Sequence, residues 1–450
     1  MIAVALVLQW WLALLVAALV VGRRDASLFH PVTLYLIFHV LVFVLRPTAV
    51  YLFGFDEQWG YMQFTPSAAQ FVRTLAVASV GLLAFWGGSL VAGRPPVPAP
   101  QQGFVPAPTA PQKQALLITL LLLLPLALYG AYRDALIFGT LAAPGEAGMV
   151  IDPESAHTYF RNTTAYVVKA HNLLVPLAAL TVWLGRFRLW TLLPLAAVVG
   201  YRMYLGSRWG MVMALAMVLF FALHKRGLRW PPARLAVLAL PLLAVFYVIG
   251  ENRDLVREYL GFGEQRYEQT ARNWPEGLDR WDTPSFANFD FLAYVVAVVP
   301  ERSRTYTYFT QHLELFTRPI PRMLWPGKPR GEPIQLVDLN AHGWFGTRTV
   351  ALVGDGWRSA GWLGVVLTCG AVGWLLTRVY LWFARRPDRL FPVALYVCYL
   401  PTAVLWYRGG EVVNAVRYGV WMTLPVLVWW SLTLVLASVR NRQHPAAETT

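Results

Sequence analysis

The sequence predicts an all-α polytopic membrane protein with about eleven transmembrane helices and one large outer helical loop. Of the 450 residues, 57% are hydrophobic and 14% are charged, whereas a soluble domain carries about 25% charged residues. Runs of roughly 20 mainly apolar residues, the length that crosses a bilayer, recur along the chain. The two cysteines, Cys369 and Cys398, lie inside such runs, so we expect neither a disulfide framework nor a cysteine-based metal site.

The apolar runs define the predicted spans. The first run has no evident signal-peptide cleavage motif, so we expect it to be a true span. Two of the shorter runs are Leu189–Leu205 and Trp209–Leu223. The other predicted spans are Ile2–Gly22, Leu28–Leu45, Phe71–Gly93, Gln114–Tyr132, Thr163–Gly185, Leu235–Gly250, Trp362–Phe383, Leu390–Tyr407 and Tyr418–Val439.

The spans group into parts that are separated by two polar stretches. One stretch, PPVPAPQQGFVPAPTAPQ, has the proline-rich composition of an extended spacer. The other is a long loop before the last spans. The predicted parts are a three-span N-terminal part (1–93), a cytoplasmic linker (94–113), a five-span core (114–250), a large outer loop (251–357) and a three-span C-terminal part (358–450).

The distribution of Lys and Arg predicts the orientation. With an inside C-terminus and an outside N-terminus, the inner segments hold about twice as many Lys and Arg as the short outer loops, as the positive-inside rule requires. Much of the formal charge of +14 is therefore a topology signal, and we expect no nucleic-acid partner.

The outer loop from Glu251 to Trp357 is far longer than an ordinary connection, and such loops are usually functional. Its first half is acidic, whereas the stretch from Arg302 to Arg330 is basic. Within the loop, the apolar run Phe286–Val299 is too short to span, so we expect a membrane-surface or re-entrant helix there.

Basic side chains near the predicted outer ends of the spans and in the loop form a candidate anion site. Guanidinium groups match phosphate oxygens in a bidentate fork, so a lipid phosphate or pyrophosphate is the expected ligand. Interfacial arginines also reach lipid headgroups without any further role, and that alternative stays open for each of them. The predicted substrate-binding cations are Arg202, Arg318, Lys328, Arg358, Arg408, Arg417 and the intramembrane Lys169.

Three titratable side chains of the loop are candidates for a general base that accepts a hydroxyl proton. His342 and Asp355 are favoured, and His312 is the weaker candidate. Asp355 has an alternative role as the ion-pair partner of Arg358. Elsewhere, the adjacent acids Asp56 and Glu57 offer a different base or metal ligand.

Three segments resemble the Wzy-type O-antigen, or oligosaccharide repeat-unit, polymerases. These are PIPRMLWPGKP (319–329), GDGWRSAGWLG (354–364) and LGSRWG (205–210), which is similar to a Gly-Ser-Arg element common in that family. The similarity covers most of the chain in architecture but only these segments in residues. Asp355 departs from the family, which often has Glu at the equivalent position.

The resemblance implies a GT-C-like architecture and a metal-independent glycosyltransferase of the bacterial inner membrane that needs no cofactor. A growing glycan would pass from undecaprenyl pyrophosphate to a hydroxyl of the next lipid-linked repeat, on the outer face. The family's arginine positions correspond to Arg208 and Arg322, which would stabilise the leaving pyrophosphate. His342 or Asp355 would deprotonate the hydroxyl, and a chain-length regulator protein is an expected partner.

Other functions remain alternatives to the polymerase. An O-antigen ligase has the same fold class and a different acceptor, and a polyprenyl-phosphate-sugar glycosyltransferase would use Asp56 or Glu57. A transporter or flippase is disfavoured, because ionisable residues at mid-membrane are few and the outer loop is long.

Overall fold

In a computed structural model of the chain, the described residues are 1–23, 25–94, 107–138, 149–151, 158–160, 165–204, 208–235, 237, 282, 286–320, 324–325, 327–329, 332–343, 345 and 348–443. These residues are mostly helical. Within them the one sheet is an antiparallel pair of short strands, β1 (Met149–Ile151) and β2 (Thr158–Phe160). Eight helices are long and apolar enough to cross a membrane, so the protein is a polytopic membrane protein.

The chain forms two compact units, each built from separate stretches of sequence. The described residues of unit 1 fall within Met1–Ala99, Arg272–Arg385 and Thr402–Arg417. Those of unit 2 fall within Pro100–Ala271, Arg386–Pro401 and Tyr418–Thr450. Among the described residues, the α-helices in chain order are α1 (Ile2–Val21), α2 (Pro31–His39), α3 (Arg46–Phe53), α4 (Glu57–Tyr61), α5 (Ala68–Ala92), α6 (Ala110–Phe138), α7 (Ala165–Lys169), α8 (Leu174–Leu184), α9 (Leu193–Tyr204), α10 (Arg208–Lys225), α11 (Asn288–Val298), α12 (Glu314–Thr317), α13 (Ala351–Ala384), α14 (Leu390–Tyr399), α15 (Ala403–Gly409) and α16 (Val412–Gln443).

Each of the eight candidate spans overlaps one predicted span, which confirms those predictions in position. The second span ends later than predicted, because a π-helical turn continues it from Pro31 to Phe53. The predicted spans Leu189–Leu205 and Trp209–Leu223 correspond to shorter apolar helices, and residues 238–250 of the predicted span Leu235–Gly250 lie outside the described residues. The total of about eleven spans therefore stays a prediction.

The centre of unit 1 is the contact between α5 and α13, where glycines let the two backbones meet. A Cβ atom on Gly88 would lie 2.0 Å from the carbonyl oxygen of Gly370, and one on Gly373 would lie 2.2 Å from that of Phe85. Small residues allow this close approach between membrane helices. The contact holds α13 against the N-terminal part of the chain.

Helix α11 is enclosed by unit 1, and all eleven of its residues are buried. The membrane-surface alternative predicted for Phe286–Val299 is therefore wrong for α11. Its Asp290 accepts a hydrogen bond from Arg46 Nε at 2.8 Å, and Asp282 accepts one from Arg46 Nη2 at 2.6 Å. The three side chains are at most 5% exposed, so the ion pairs link α3 to α11 away from solvent.

Helix α13 is two helices with a sharp break at Ala360 and Gly361. Gly361 has φ of +59°, in the left-handed region that glycine tolerates. Residues eight apart on one helix are about 12 Å apart, yet a Cβ on Gly364 would lie 2.0 Å from the carbonyl oxygen of Gly356. The chain therefore folds back on itself, and the segment 351–359 is a separate short helix that precedes the span predicted from Trp362.

Unit 2 is a helical bundle in which α6 packs on α7, α8 and the 3₁₀ turn Ala170–Leu173, and α9 and α10 pack on α8. Every residue of α8 is buried. Trp183 of α8 stacks on Phe221 of α10 with ring centroids 4.6 Å apart, and Trp429 of α16 donates to the carbonyl oxygen of Gln112 at 3.0 Å. The bundle therefore buries a helix at its centre, where polar side chains need partners within the protein.

Candidate functional site

The short helix 351–359 is held by the chain that precedes it. Its last carbonyl groups have no helical partner because of the break at Ala360. The backbone N–H of Thr307 donates to the Arg358 carbonyl at 2.8 Å, and that of Tyr308 donates to the Ser359 carbonyl at 3.0 Å. Residues 307–308 thereby cap the helix and fix where the next residues lie.

Two residues with left-handed backbone, Tyr308 (φ 49°) and Phe309 (φ 64°), turn the chain into the 3₁₀ helix Thr310–Leu313. Non-glycine residues seldom adopt this conformation, so the surrounding contacts must hold it. The turn brings Gln311 and His312 onto the side chain of Asp355.

Asp355 is the centre of the site, and its side chain is fully buried. His312 Nε2 lies 2.9 Å from Oδ2, while Gln311 Nε2 at 3.2 Å and Arg358 Nε at 3.1 Å donate to Oδ1. A buried carboxylate requires partners of this kind, because desolvation disfavours its charge. Gln311 Nε2 also donates to Ser359 Oγ at 2.7 Å, which fixes the amide.

The His312 ring is one-quarter exposed, whereas Asp355 behind it is enclosed. An ionised carboxylate only accepts hydrogen bonds, so the contact places the imidazole proton on Nε2. Nδ1 is then the acceptor nitrogen of the neutral ring. The arrangement is a histidine held by a carboxylate, with its second nitrogen available to take a proton.

Acidic groups surround Arg358, which lies against Asp355. Its Nη1 lies 3.1 Å from Glu332 Oε1. Burial raises the pKa of Glu332, although Arg358 opposes that shift. Burial also raises the pKa of Glu411, again opposed by Arg358 and by Arg318. This part of unit 1 is therefore rich in carboxylates.

Three predicted phosphate ligands have other partners in the structure. Arg318 forms an i,i+4 ion pair with Glu314 at 3.1 Å. Arg358 is paired with Asp355 and Glu332, as described above. Lys328 Nζ donates to the carbonyl oxygens of Arg318 and Ile320, each at 2.9 Å, and so braces that turn. These contacts compete with any anion that the three side chains would bind.

Arg408, at the end of α15, is half-buried, and its guanidinium is paired with no carboxylate among the described residues. The Nε atom of Arg408 is buried and has no hydrogen-bond partner among the described residues. Asn288 Nδ2 donates to the Arg408 carbonyl at 3.1 Å and to Thr349 Oγ1 at 2.7 Å. Arg417 follows on α16 and is also half-buried.

The remaining candidates of unit 1 lie apart from these contacts or outside the described residues. His342 ends the 3₁₀ helix Leu339–His342, which packs on α11, and it is not among the partners of Asp355. Arg322 lies outside the described residues. Asp56 and Glu57 are exposed at the start of α4, where the Glu57 backbone N–H donates to Asp282.

In unit 2, Arg202 is 3% exposed and donates from Nη2 to Asn172 Oδ1 at 3.1 Å. Lys169 is half-buried at the end of α7. Arg208 is the first residue of α10, and its side chain lies outside the described part of the structure. The predicted convergence of Arg208 with the loop arginines therefore stays a prediction.

The site also contains residues that the sequence did not single out, namely Gln311, Glu332, Ser359 and Glu411. No local spacing signals the pairing of His312 with Asp355, because 43 positions separate them. Among the described residues, no group of three or more His, Cys, Asp or Glu side chains is arranged to hold a metal ion.

Comparison with known proteins identifies no relative: no family model, no curated protein and no solved structure matches the chain. The resemblance to the repeat-unit polymerases therefore rests on the three segments quoted above.

Proposed function

We propose that the protein is a glycosyltransferase that polymerises lipid-linked oligosaccharide repeat units. It transfers the growing glycan from undecaprenyl pyrophosphate to a hydroxyl of the next lipid-linked repeat, on the outer face of the bacterial inner membrane. The observation that carries this proposal is the partly exposed His312, held at 2.9 Å by the buried Asp355 within a polar loop of a membrane protein. One segment that resembles the polymerases (319–329) follows His312 in the sequence, and another (354–364) contains Asp355.

In the proposed reaction, His312 Nδ1 takes the proton of the acceptor hydroxyl as general base. The hydroxyl oxygen forms a bond to the anomeric carbon of the donor's reducing-end sugar. The bond between that carbon and the pyrophosphate oxygen breaks, and its electron pair leaves with undecaprenyl pyrophosphate. Asp355 stabilises the imidazolium that forms and keeps the ring in one tautomer.

The charge that develops on the leaving pyrophosphate requires cations other than those of the Asp355 cluster. Arg318 and Arg358 are engaged by carboxylates, so we assign Arg358 to positioning Asp355. Arg408 is a candidate ligand of the pyrophosphate in unit 1, and the resemblance implies that Arg208 and Arg322 stabilise the pyrophosphate. This arrangement would need no divalent ion.

The proposed topology has about eleven spans in a GT-C-like arrangement, with the N-terminus outside and the C-terminus inside. The positive-inside asymmetry supports it. Alkaline phosphatase fused after Asp338 should be active, and the same fusion after Asp388 should be inactive. The reverse pattern would overturn the orientation.

The glycan profile of a deletion strain tests the proposed function. Wild-type protein should restore long chains, whereas His312→Ala should leave single lipid-linked repeats at an equal level of protein in the membrane. His342→Ala is the matched control and should restore long chains. Long chains in the His312→Ala strain would refute the proposal, and long lipid-linked chains without their final acceptor would identify a ligase instead.

A glycosyltransferase that depends on Asp56 or Glu57 is less well supported. Both residues are exposed on α4, and neither contacts the Asp355 cluster among the described residues. Asp56→Asn should therefore leave chain length unchanged, and loss of long chains in that variant would favour this alternative.

A further inference from the structure

The described part of the loop segment 308–336 exposes large apolar side chains that the proposed reaction does not use. Phe316 is 76% exposed and Leu324 is 72% exposed. The other exposed apolar side chains of this segment include Leu313, Ile320, Trp325 and Ile334. A surface that faces only water seldom carries so many, and a large exposed apolar area usually marks a contact with a partner or a membrane.

Three of these side chains lie on one side of a helical stretch. The 3₁₀ helix Thr310–Leu313 runs directly into α12, and backbone turns continue it to residue 320. Leu313, Phe316 and Ile320 are spaced by three and four positions, which puts them on the same face of a helix. Gln311 lies on another side and is buried against the short helix 351–359. The stretch is therefore amphipathic, with one side fixed to the protein and an exposed apolar side.

The turn that follows adds Leu324 and Trp325 to the exposed apolar side chains. Lys328 Nζ closes this turn by donating to the carbonyl oxygens of Arg318 and Ile320. The turn therefore keeps the two side chains close in space to the end of the helical stretch. We call Leu313, Phe316, Ile320 and Leu324 together the loop face.

The segment begins beside the end of a membrane span. A Cβ atom on Gly361, where the second helix of α13 starts, would lie 2.9 Å from the Tyr306 hydroxyl. The exposed ring of Tyr308 lies against the Tyr306 ring, with centroids 6.2 Å apart. The next residues of the span, Trp362 and Leu363, are exposed and apolar, as expected where a span contacts lipid. The segment therefore starts beside a surface that faces lipid.

The residue types of the segment fit the boundary between lipid and water. Tyrosine and tryptophan are enriched there, because each ring combines an apolar body with a polar group. Tyr308 and Trp325 are both exposed in this segment. The polar side of the helical stretch carries the ion pair between Glu314 and Arg318. An apolar face beside a charged one is typical of a helix that lies in a membrane interface.

We propose that the loop face lies in the headgroup region of the bilayer, next to the span that starts at Gly361. Lipid is the occupant that the structure favours, because the segment begins beside the lipid-facing residues of that span and carries interfacial aromatic residues. His312 immediately precedes Leu313, so this contact holds the exposed edge of the imidazole near the level of the headgroups. The inference goes beyond the proposed function and does not depend on it.

Fluorescence quenching tests the contact in the purified full-length protein, in nanodiscs of phosphatidylethanolamine and phosphatidylglycerol. Cys369 and Cys398 are buried, so a maleimide fluorophore should label only a cysteine introduced by Phe316→Cys or Leu324→Cys. An interfacial helix buries its apolar face about 5–10 Å into the headgroup and acyl boundary. Both labels should therefore be quenched by lipid that carries a nitroxide near its headgroup, and they should lose most of their quenching by iodide in solution.

Asp338→Cys is the matched control, because Asp338 is an exposed polar residue of the same loop. Its label should be quenched by iodide and not by the nitroxide lipid. If the labels at positions 316 and 324 behave as the control does, the proposal is overturned. Protection of both labels from iodide without quenching by lipid would assign the loop face to a contact with protein, and that result would also overturn the proposal.

A second measurement tests whether the loop face enters the bilayer as a unit. Phe316→Glu puts a charge on this face, and moving a charge into apolar surroundings is costly. In the protein labelled at position 324, Phe316→Glu should lower the quenching by lipid and raise the quenching by iodide, whereas Phe316→Leu should change neither. Equal quenching in the two variants would contradict insertion of the face as a unit. These readouts involve no turnover, so their outcome is independent of the glycan profile that tests the proposed function.

Discussion

Asp355→Asn is the most informative single change, because it removes one charge and preserves the volume of the side chain. The carboxylate is fully buried and accepts from Gln311 and Arg358 while it holds His312. An amide can accept on one atom only, so its NH₂ group would face one of these donors. His312 would lose the anion that stabilises its protonated form.

The expected magnitude follows from the role of the pair. General-base catalysis contributes about 10²- to 10⁴-fold in rate. This factor corresponds to about 2.7–5.4 kcal/mol of transition-state stabilisation, at about 1.36 kcal/mol for each factor of ten. Because Asp355 acts through His312, Asp355→Asn and His312→Ala should each lower the rate within this range, and the double variant should be no slower than the slower single variant.

The assay is the initial rate of chain extension by the purified protein with lipid-linked repeats. Asp388→Asn, an exposed acid in the loop before α14, is the control and should retain the wild-type rate. A rate within threefold of the wild type for Asp355→Asn, at equal thermal stability, would refute the assignment of His312 as base. Independent losses that multiply in the double variant would refute the coupling of the two side chains.

Four further predictions concern stability and metal dependence. Arg46→Gln leaves two buried carboxylates without their cation, so it should destabilise unit 1 by about 3–5 kcal/mol, measured as a lower midpoint of thermal unfolding. Burial raises the pKa of Asp290 to about 6, so the fold favours its protonated form; its contribution to stability should be present at pH 4 and decline as the pH rises through 6. Asp290→Asn should remove that pH dependence, and an unaltered pH profile would contradict the assignment. Gly88→Ala places a methyl group against the Gly370 backbone and should lower the thermal midpoint, whereas Gly87→Ala, with open space at its Cβ, should not. EDTA should leave chain extension unchanged, and loss of activity that Mg²⁺ restores would contradict the metal-independent mechanism.

The membrane character of the chain and the position of eight helices are determined by sequence alone. Crossing a bilayer requires a long apolar segment whose backbone is satisfied internally, and this condition depends on neighbouring residues only. For the same reason, the predicted span Trp362–Phe383 lies within one turn of the helix that follows Gly361. The loop arginines and Asp355 were also recognisable, because charged residues are rare in this chain.

Only the tertiary structure decided which of these residues meet. The sequence favours His342 over His312, yet His312 contacts Asp355, because the capped end of the helix 351–359 and the turn at Phe309 bring them together. The sequence gives Arg318 the pattern of a phosphate ligand, whereas the structure pairs it with Glu314 and confirms the alternative in which Arg358 pairs with Asp355. Contacts between side chains that are tens of residues apart in sequence depend on how the chain folds back. The hydropathy pattern does not predict that geometry.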